Sequence, residues 1–376
     1  MKLTVQAKLR PSREQADALE RTLRASNAAA NEISEIAWGR RSFGQYKLHR
    51  LVYHSVRASS GLSSQLVIRA ISKVADAYKL DKKRKRTFKA LGAIAYDDRI
   101  LRWRSEASEV SIWTVSGRES ISFVCGERTS ELMKVRQGES DLVFRGSKWY
   151  LLATVNVEEP PPGTPEDWIG VDLGIANIAT DSDGETHTSE KTEKSRKRYE
   201  RIRSRLQAAG TRSAKRHLKK LAKRERRMKR DANHVISKRL VSKAVETNRG
   251  ISLEDLQGIR KRTTVRKAQR SRHGKWAFGE LRAFIEYKAR LAGVALVAVD
   301  PRDTSRTCSE CGYCDEANRR SQSEFVCKSC GYVALADKNA ALNIRSRAVV
   351  NQPTVACVEA SLSTHSYKPT ALAVGS

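Results

Sequence analysis

Three acidic residues, far apart in the chain, sit in or beside segments that otherwise read as buried: Asp172 in "GVDLGIANIAT" (170–180), Glu254 in "SLEDL" and Asp337 in "LADKNAALNI". A carboxylate taken out of water alone is destabilising by on the order of several kcal/mol unless a positive group meets it. Magnesium and manganese prefer carboxylate oxygens, and two such ions clamp the attacking and leaving oxygens of a phosphodiester displacement. A shared divalent-ion site accounts for all three acids at once, and it requires elements distant in sequence to converge. Singly, each has an ordinary reading. Asp337 also reads as a helix N-cap, and Glu254, beside Asp255, as a turn acid.

The charge balance names a partner class. Lys and Arg total 72 against 42 Asp and Glu, a net charge of +30 over 376 residues. A compact chain so charged repels itself unless a polyanion neutralises it, and a nucleic acid is the matching partner. Half of the surplus is concentrated between Glu190 and Arg230, where nineteen basic residues face four acidic ones, leaving fifteen. That is an electrostatic footprint for phosphates.

Cysteine spacing gives the strongest local signal. Cys308-x2-Cys311 and Cys327-x2-Cys330 are separated by fifteen residues, and a glycine follows each pair where the chain must turn back. Two tight thiolate pairs fit tetrahedral zinc, and four sulfur ligands leave no open position, so this zinc is structural. Cys314, three residues further on, is a surplus thiol of little weight as a competing ligand. Cys125 reads as a strand core residue and Cys357 as an incidental thiol. The amino terminus "MKLTVQAKLRPS" lacks a signal-peptide core, and runs such as "VALVAV" are too short to span a bilayer, so a cytosolic, nucleoid-associated protein with no membrane partner is expected.

Hydrophobic periodicity lays out the chain. "TVQAKL" alternates as a strand; Ser12 and Gln15 then form a capping box, with Leu19, Leu23, Ala30, Ile33 and Ala37 on one helical face. Leu66, Val67, Ala70, Ile71, Val74 and Tyr78 repeat the pattern, and the basic run "DKKRKR" (81–86) closes an antiparallel helical module. From about Ile100 the period changes to two, in "ILRWR", "VSIWTV", "SISFVC", "DLVFR" and "WYLLATVNV", as in a small barrel that the first strand would complete. "EEPPPGTPED" (158–167) is a stiff linker. Beyond it come the Asp172 strand, a hairpin signal at "DSDG", the buried strand "GISLEDLQGI", the amphipathic helix "KWAFGELRAFIEYKARLAG", the strand "VALVAVD" and a last helix, "ALADKNAALNIRSRAVV". The segment from Asn351 has no sustained periodicity and is expected to be poorly ordered.

In order, "GVDLGIANIAT", "ISLEDLQGI", "WAFGELRAFIEYKARLAG", "VDPRDTSRTCSECG" and "CGYVALADKNAALNI" resemble the TnpB proteins of bacterial and archaeal insertion sequences, relatives of type V CRISPR effector nucleases. The resemblance implies a multidomain α+β chain. A wedge β-barrel (1–11 and 91–160) would carry an inserted helical recognition module (12–90). A RuvC-like nuclease domain of the ribonuclease H fold (165–305 and 334–350) would include a basic helical segment (190–248), be split by a zinc-finger insertion (306–333) and end in the tail 351–376. It places the catalytic, magnesium- or manganese-holding acids at Asp172, Glu254 and Asp337, and the zinc ligands at Cys308, Cys311, Cys327 and Cys330. The implied activity is RNA-guided cleavage of double-stranded DNA beside a short duplex motif, by one protein copy per guide RNA derived from the element end. A catalytically silent RNA-guided repressor, a strand-transfer transposase and a resolvase of branched DNA are the rival readings. The basic runs would track nucleic-acid backbones, and Trp38, Tyr46, Trp103 and Trp113 are candidates for base stacking.

Overall fold

A computed structural model describes residues 1–174, 177–188, 190–255, 278–321 and 323–350; the expected tail, with Cys357, and the start of the helix at Lys275 lie outside them. The chain divides after Glu158 into two compact units.

The first unit is built on strand β1 (Lys2–Leu9), which lies between β5 (Gly117–Val124) and β7 (Lys148–Asn156), antiparallel to both. With β2 (Ile94–Tyr96), β3 (Leu101–Arg104), β4 (Glu109–Thr114) and β6 (Arg136–Arg145) the order is β2-β6-β7-β1-β5-β4-β3. The edge strands β2 and β3 do not pair with each other, yet the sheet curls until its ends meet through side chains. The Trp103 indole on β3 donates to Ser140 Oγ on β6 at 3.2 Å, and the Tyr96 hydroxyl on β2 donates to the Trp113 carbonyl on β4 at 3.0 Å. The sheet is therefore barrel-like and antiparallel, held nearly closed by polar contacts rather than by a continuous ladder.

Between β1 and β2 run helices α1 (Arg13–Gly39), α2 (Gln45–Ser60) and α3 (Ser64–Leu80). Ser12 and Gln15 make the reciprocal capping box, satisfying two of the orphan N–H groups at the start of α1. The apolar faces of the three helices share one core with the sheet, including Leu23, Ile33, Val52, Ile71, Tyr78, Ile112 and Leu151. Buried Asn27 donates to the carbonyls of Leu23, Ala90 and Gly92. A short helix, α4 (Glu127–Met133), occupies a stretch that periodicity gives no reason to call helical. Cys125, expected in a strand, falls one residue past β5. Trp38 packs against Phe43 and Tyr78, Trp103 meets Phe123 edge-on, and Arg118 lies over Trp113; Tyr46 alone of the four aromatic candidates is largely exposed, at 88%.

In the second unit, β8 (Asp167–Asp172), β9 (Asn177–Asp181), β10 (Thr186–Thr188), β11 (Arg249–Glu254) and β12 (Leu296–Val299) form a mixed sheet of order β10-β9-β8-β11-β12. β8, β11 and β12 are mutually parallel, and β9 and β10 turn back as the hairpin signalled by "DSDG". Asp181, fully buried at that turn, accepts from the backbone N–H groups of Asp183 and Glu185 and from Lys243 at 2.5 Å. The basic segment folds as α5 (Glu190–Ala209) and α6 (Arg212–Glu246), packed together and joined by Arg203 and Lys229 on Glu225. The far end of α6 turns apolar, and Ile236, Leu240, Val241 and Ala244 pack with α7 (Phe278–Ala292) onto one sheet face. The other face is covered by α8 (Ala336–Val350), whose Ile344 and Ala348 meet Trp168 and Val299. Between β12 and α8 a small hairpin, β13 (Glu324–Val326) and β14 (Val333–Leu335), carries part of the cysteine cluster. No helix among the described residues is long and apolar enough to cross a membrane.

Candidate functional site

The parallel register of β8 and β11 sets Leu253 opposite Val171 and Ser252 opposite Gly170, so Asp172 and Glu254 finish their strands side by side. Side chains alternate across a sheet. Ile169, Val171, Ile251 and Leu253 enter the core under α6 and α7, which puts Gly170, Asp172, Ser252 and Glu254 on the face of α8. A Cβ at Gly170 would lie 2.1 Å from the Ala341 carbonyl oxygen and 2.5 Å from the Arg345 amide nitrogen, so α8 rests directly on the strand backbone. Asp337 is four residues before Ala341, about 6 Å along the helix, and Asp172 is two residues beyond Gly170, about 6.7 Å along the strand. The contact at Gly170 therefore delivers the third acid to the end of the sheet that holds the other two. Gly174 lets the chain bend there, since a Cβ would lie 2.7 Å from the Asn177 carbonyl oxygen.

Asp172 feels both of the other acids. Burial first, then the negative charges of Glu254 and Asp337, push Asp172 up to about 8, against the opposing pull of Arg319 and a backbone N–H. Burial also raises Glu254, while the Thr304 hydroxyl, donating to its Oε1, and the charges of Arg347 and Arg319 act the other way. Asp337, 7% exposed, accepts from Asn177 Nδ2 at 2.8 Å and from Arg319 Nη2 at 3.5 Å. A carboxylate such as Asp172, which burial first and two neighbouring acids second hold back from ionising, suits a cation. Its oxygens are spread wider than the cysteine sulfurs: among the described residues, only the cysteines bring three or more ligand atoms within 4.8 Å of one another. A pair of ions about 3.5–4 Å apart needs a wider ring of oxygens than one tetrahedral ion needs of sulfurs.

The sequence alone does not single out Asn177, Thr304 or Arg319. Asn177 lies inside the same "GVDLGIANIAT" segment, five residues past Asp172, whereas nothing local distinguishes Thr304 or Arg319 from neighbouring polar residues. Their positions depend on the tertiary fold.

The structure gathers the four expected cysteines. Cys308 and Cys330 sulfurs are 3.7 Å apart, and those of Cys311 and Cys327 are 3.5 Å apart. A tetrahedral ion with bonds of about 2.3 Å to sulfur spaces its ligands about 3.8 Å apart, so the quartet fits zinc. Both knuckles turn at a glycine with left-handed backbone, Gly312 (φ 74°) and Gly331 (φ 75°), whose N–H groups donate to the carbonyls of Cys308 and Cys327. Backbone N–H groups aimed at the Cys327 sulfur pull its pKa down, whereas burial pushes Cys308 up and, over the pull of the Tyr332 N–H, the neighbouring sulfurs push Cys330 up. Cys314 is exposed and outside the quartet.

Two family models match the chain: "Probable transposase" over residues 152–263 and "Cas12f1-like, TNB domain" over residues 278–344. A TnpB-like protein of Methanocaldococcus jannaschii is 37% identical over 128 residues, covering 34% of this chain and 45% of that protein. Over that stretch the chain resembles a TnpB-like protein. It is also 32% identical over 218 residues to the "Putative RNA-guided DNA endonuclease InsQ" of Escherichia coli, covering 52% of this chain and 53% of that protein. It is 41% identical over 113 residues to the CRISPR-associated endodeoxyribonuclease Cas12f1 of Sulfoacidibacillus thermotolerans, 30% of this chain and 25% of that protein. The matched part thus spans about half or less of these relatives. A solved complex of Cas12f1 with guide RNA and target DNA aligns over 92% of this chain and 99% of that one, at TM-score 0.40 and 17% identity.

Proposed function

We propose that this TnpB-like chain is an RNA-guided DNA endonuclease of a transposable element, hydrolysing target phosphodiester bonds at Asp172, Glu254 and Asp337 beside a short duplex motif. The observation that carries the reading is the convergence of these acids from β8, β11 and α8, close enough for the charges of Glu254 and Asp337 to help hold Asp172 at about 8. The net charge of +30 supplies attraction for a polyanion at large. The names of the relatives, RNA-guided or CRISPR-associated endonucleases, support the same class of activity.

The three acids would hold magnesium or manganese, which when bound activates water and stabilises the leaving 3′ oxygen. Asn177 orients Asp337, Thr304 orients Glu254, and Arg319 adds positive charge where a phosphate would approach. Cys308, Cys311, Cys327 and Cys330 would hold a structural zinc. Under this reading the second unit is a RuvC-like domain of the ribonuclease H fold divided by the zinc-bearing insertion, and the first is a wedge barrel with a helical recognition module. Guide pairing delivers sequence specificity while the protein reads backbone and shape. The exposed bases of α5 and α6 would follow the guide or heteroduplex backbone, one protein copy to each guide RNA.

The test begins with protein purified from its host with nucleic acid retained, followed by sequencing of the bound RNA. One abundant structured RNA from an element end is the expected result, and that complex should cut double-stranded DNA matching the guide. Asp172→Ala should abolish cleavage and leave guided DNA binding near wild type. Undiminished cleavage by the variant would falsify the catalytic assignment, and products joined to a second DNA would favour strand transfer instead.

A further inference from the structure

The segment entering the cysteine cluster is stitched to α8 by two asparagines one helical turn apart. Asn343 Nδ2 donates to the carbonyls of Thr304 at 2.8 Å and Thr307 at 2.7 Å. Asn339 Nδ2 donates to the same Thr307 carbonyl at 2.8 Å, and its Oδ1 accepts from the Ser309 N–H at 3.0 Å. Asn339 is fully buried and Asn343 nearly so, at 8% exposed. Both N–H bonds of the Asn343 amide are spent on this one segment, and buried amides are costly to leave unpaired. The stem is therefore fixed to the helix rather than resting on it.

What the stem carries is Thr304, 2% exposed, with its hydroxyl between the Pro301 carbonyl and Glu254 Oε1. A hydroxyl has one proton to give. An ionised carboxylate is the stronger acceptor, so the proton goes to Glu254, binding Oε1 and leaving Oε2 for an ion.

We propose that α8 positions two of the three acids: Asp337 directly, as its own residue, and Glu254 at one remove, through Asn343 and Thr304. Thr304 is thus a positioning residue for the divalent ion and not a ligand. The inference rests on reading Asp172, Glu254 and Asp337 as the ion site. It gives "DKNAALN" a function beyond its aspartate: the acid and both stem-holding asparagines lie on two turns of one helix.

The test is direct titration of the full chain with Mn2+, followed by electron paramagnetic resonance, in wild type, Asp172→Ala, Thr304→Val, Thr304→Ala and Thr304→Ser, with zinc content measured alongside. Removing a group that orients a metal ligand weakens affinity by about 10–100-fold. Thr304→Val and Thr304→Ala should therefore bind Mn2+ at least about tenfold more weakly, Thr304→Ser should return close to wild type, and zinc should stay at one per chain in all. Wild-type Mn2+ affinity in Asp172→Ala would remove the ion site itself. Loss of binding in Asp172→Ala with wild-type affinity in Thr304→Val would leave that site standing and overturn the role of Thr304. Should the valine variant fail to fold, the alanine and serine pair decides, since equal affinities in the two would show that the hydroxyl does nothing for the ion.

Discussion

Lys73 on α3 gives its ammonium to Asn27 Oδ1 at 2.6 Å and to the Ala93 carbonyl at 2.7 Å, and burial lowers its pKa to about 8, with Asp141 opposing the shift. The folded value lies below the unfolded one, so between about pH 8 and about pH 10.4 the unfolded chain binds more protons and stability rises with pH. Below about pH 8 the cost of burying the charge is present in full. Lys73→Met should lack this rise: the stability of wild type relative to the variant, from chemical denaturation, should increase between about pH 7.5 and about pH 9.5. A constant difference would refute it. Single residues are also where the sequence was most and least informative. An acid inside an apolar run announces itself, because burial without a partner is expensive, and so do paired cysteines followed by glycine. Thr304 and Arg319 carry no such mark; they matter through which carboxylate they reach, and that is decided by how α8 and the knuckle stem dock.

Among the elements, α8 depends on two bare patches of the sheet. Gly170 admits its backbone, and Gly250 leaves room for the Trp168 ring, which a Cβ there would approach to 2.5 Å. Overpacking either site should be destabilising by about 1–3 kcal/mol. The two changes should differ in function. Gly170→Ala lifts the helix where it delivers Asp337 and should abolish cleavage by the folded protein, whereas Gly250→Ala presses on the ring and should spare most of it. Comparing cleavage rates at matched folded fraction checks this, and equal losses would argue against α8 as the carrier of the third acid. Strands and helices of this unit were readable from period and turn chemistry, "DSDG" included, because the helices bury one apolar stripe and β8, β9 and β11, covered on both faces, read as continuous apolar runs. Neither α4 nor the way the first sheet closes could be read. The first is a short helix without a periodic run, and the second depends on Trp103 and Tyr96 finding partners across the curl.

For the whole molecule, charge dominates. On α6, Lys219, Lys220, Lys223 and Arg224 are exposed, and each phosphate contact contributes about 0.7 to the slope of log affinity against log salt for single-stranded nucleic acid. Replacing all four by glutamine should lower the slope for RNA binding by up to about 3, measured by fluorescence anisotropy over a salt series; an unchanged slope would take the nucleic acid off this helix. The surplus of positive charge and its placement were plain from composition, since charge counts need no fold. Which surfaces carry it required the helices. The position of β1 has a consequence of another kind. Its partners are Phe123 and Val124 on one side and the run from Tyr150 to Asn156 on the other. At about 5–20 residues per second, the ribosome makes this strand before either neighbour, and the second follows roughly seven to thirty seconds later. Until then β1 is an unpaired β edge on the nascent chain, and a chaperone holding that segment would guard the sheet during synthesis.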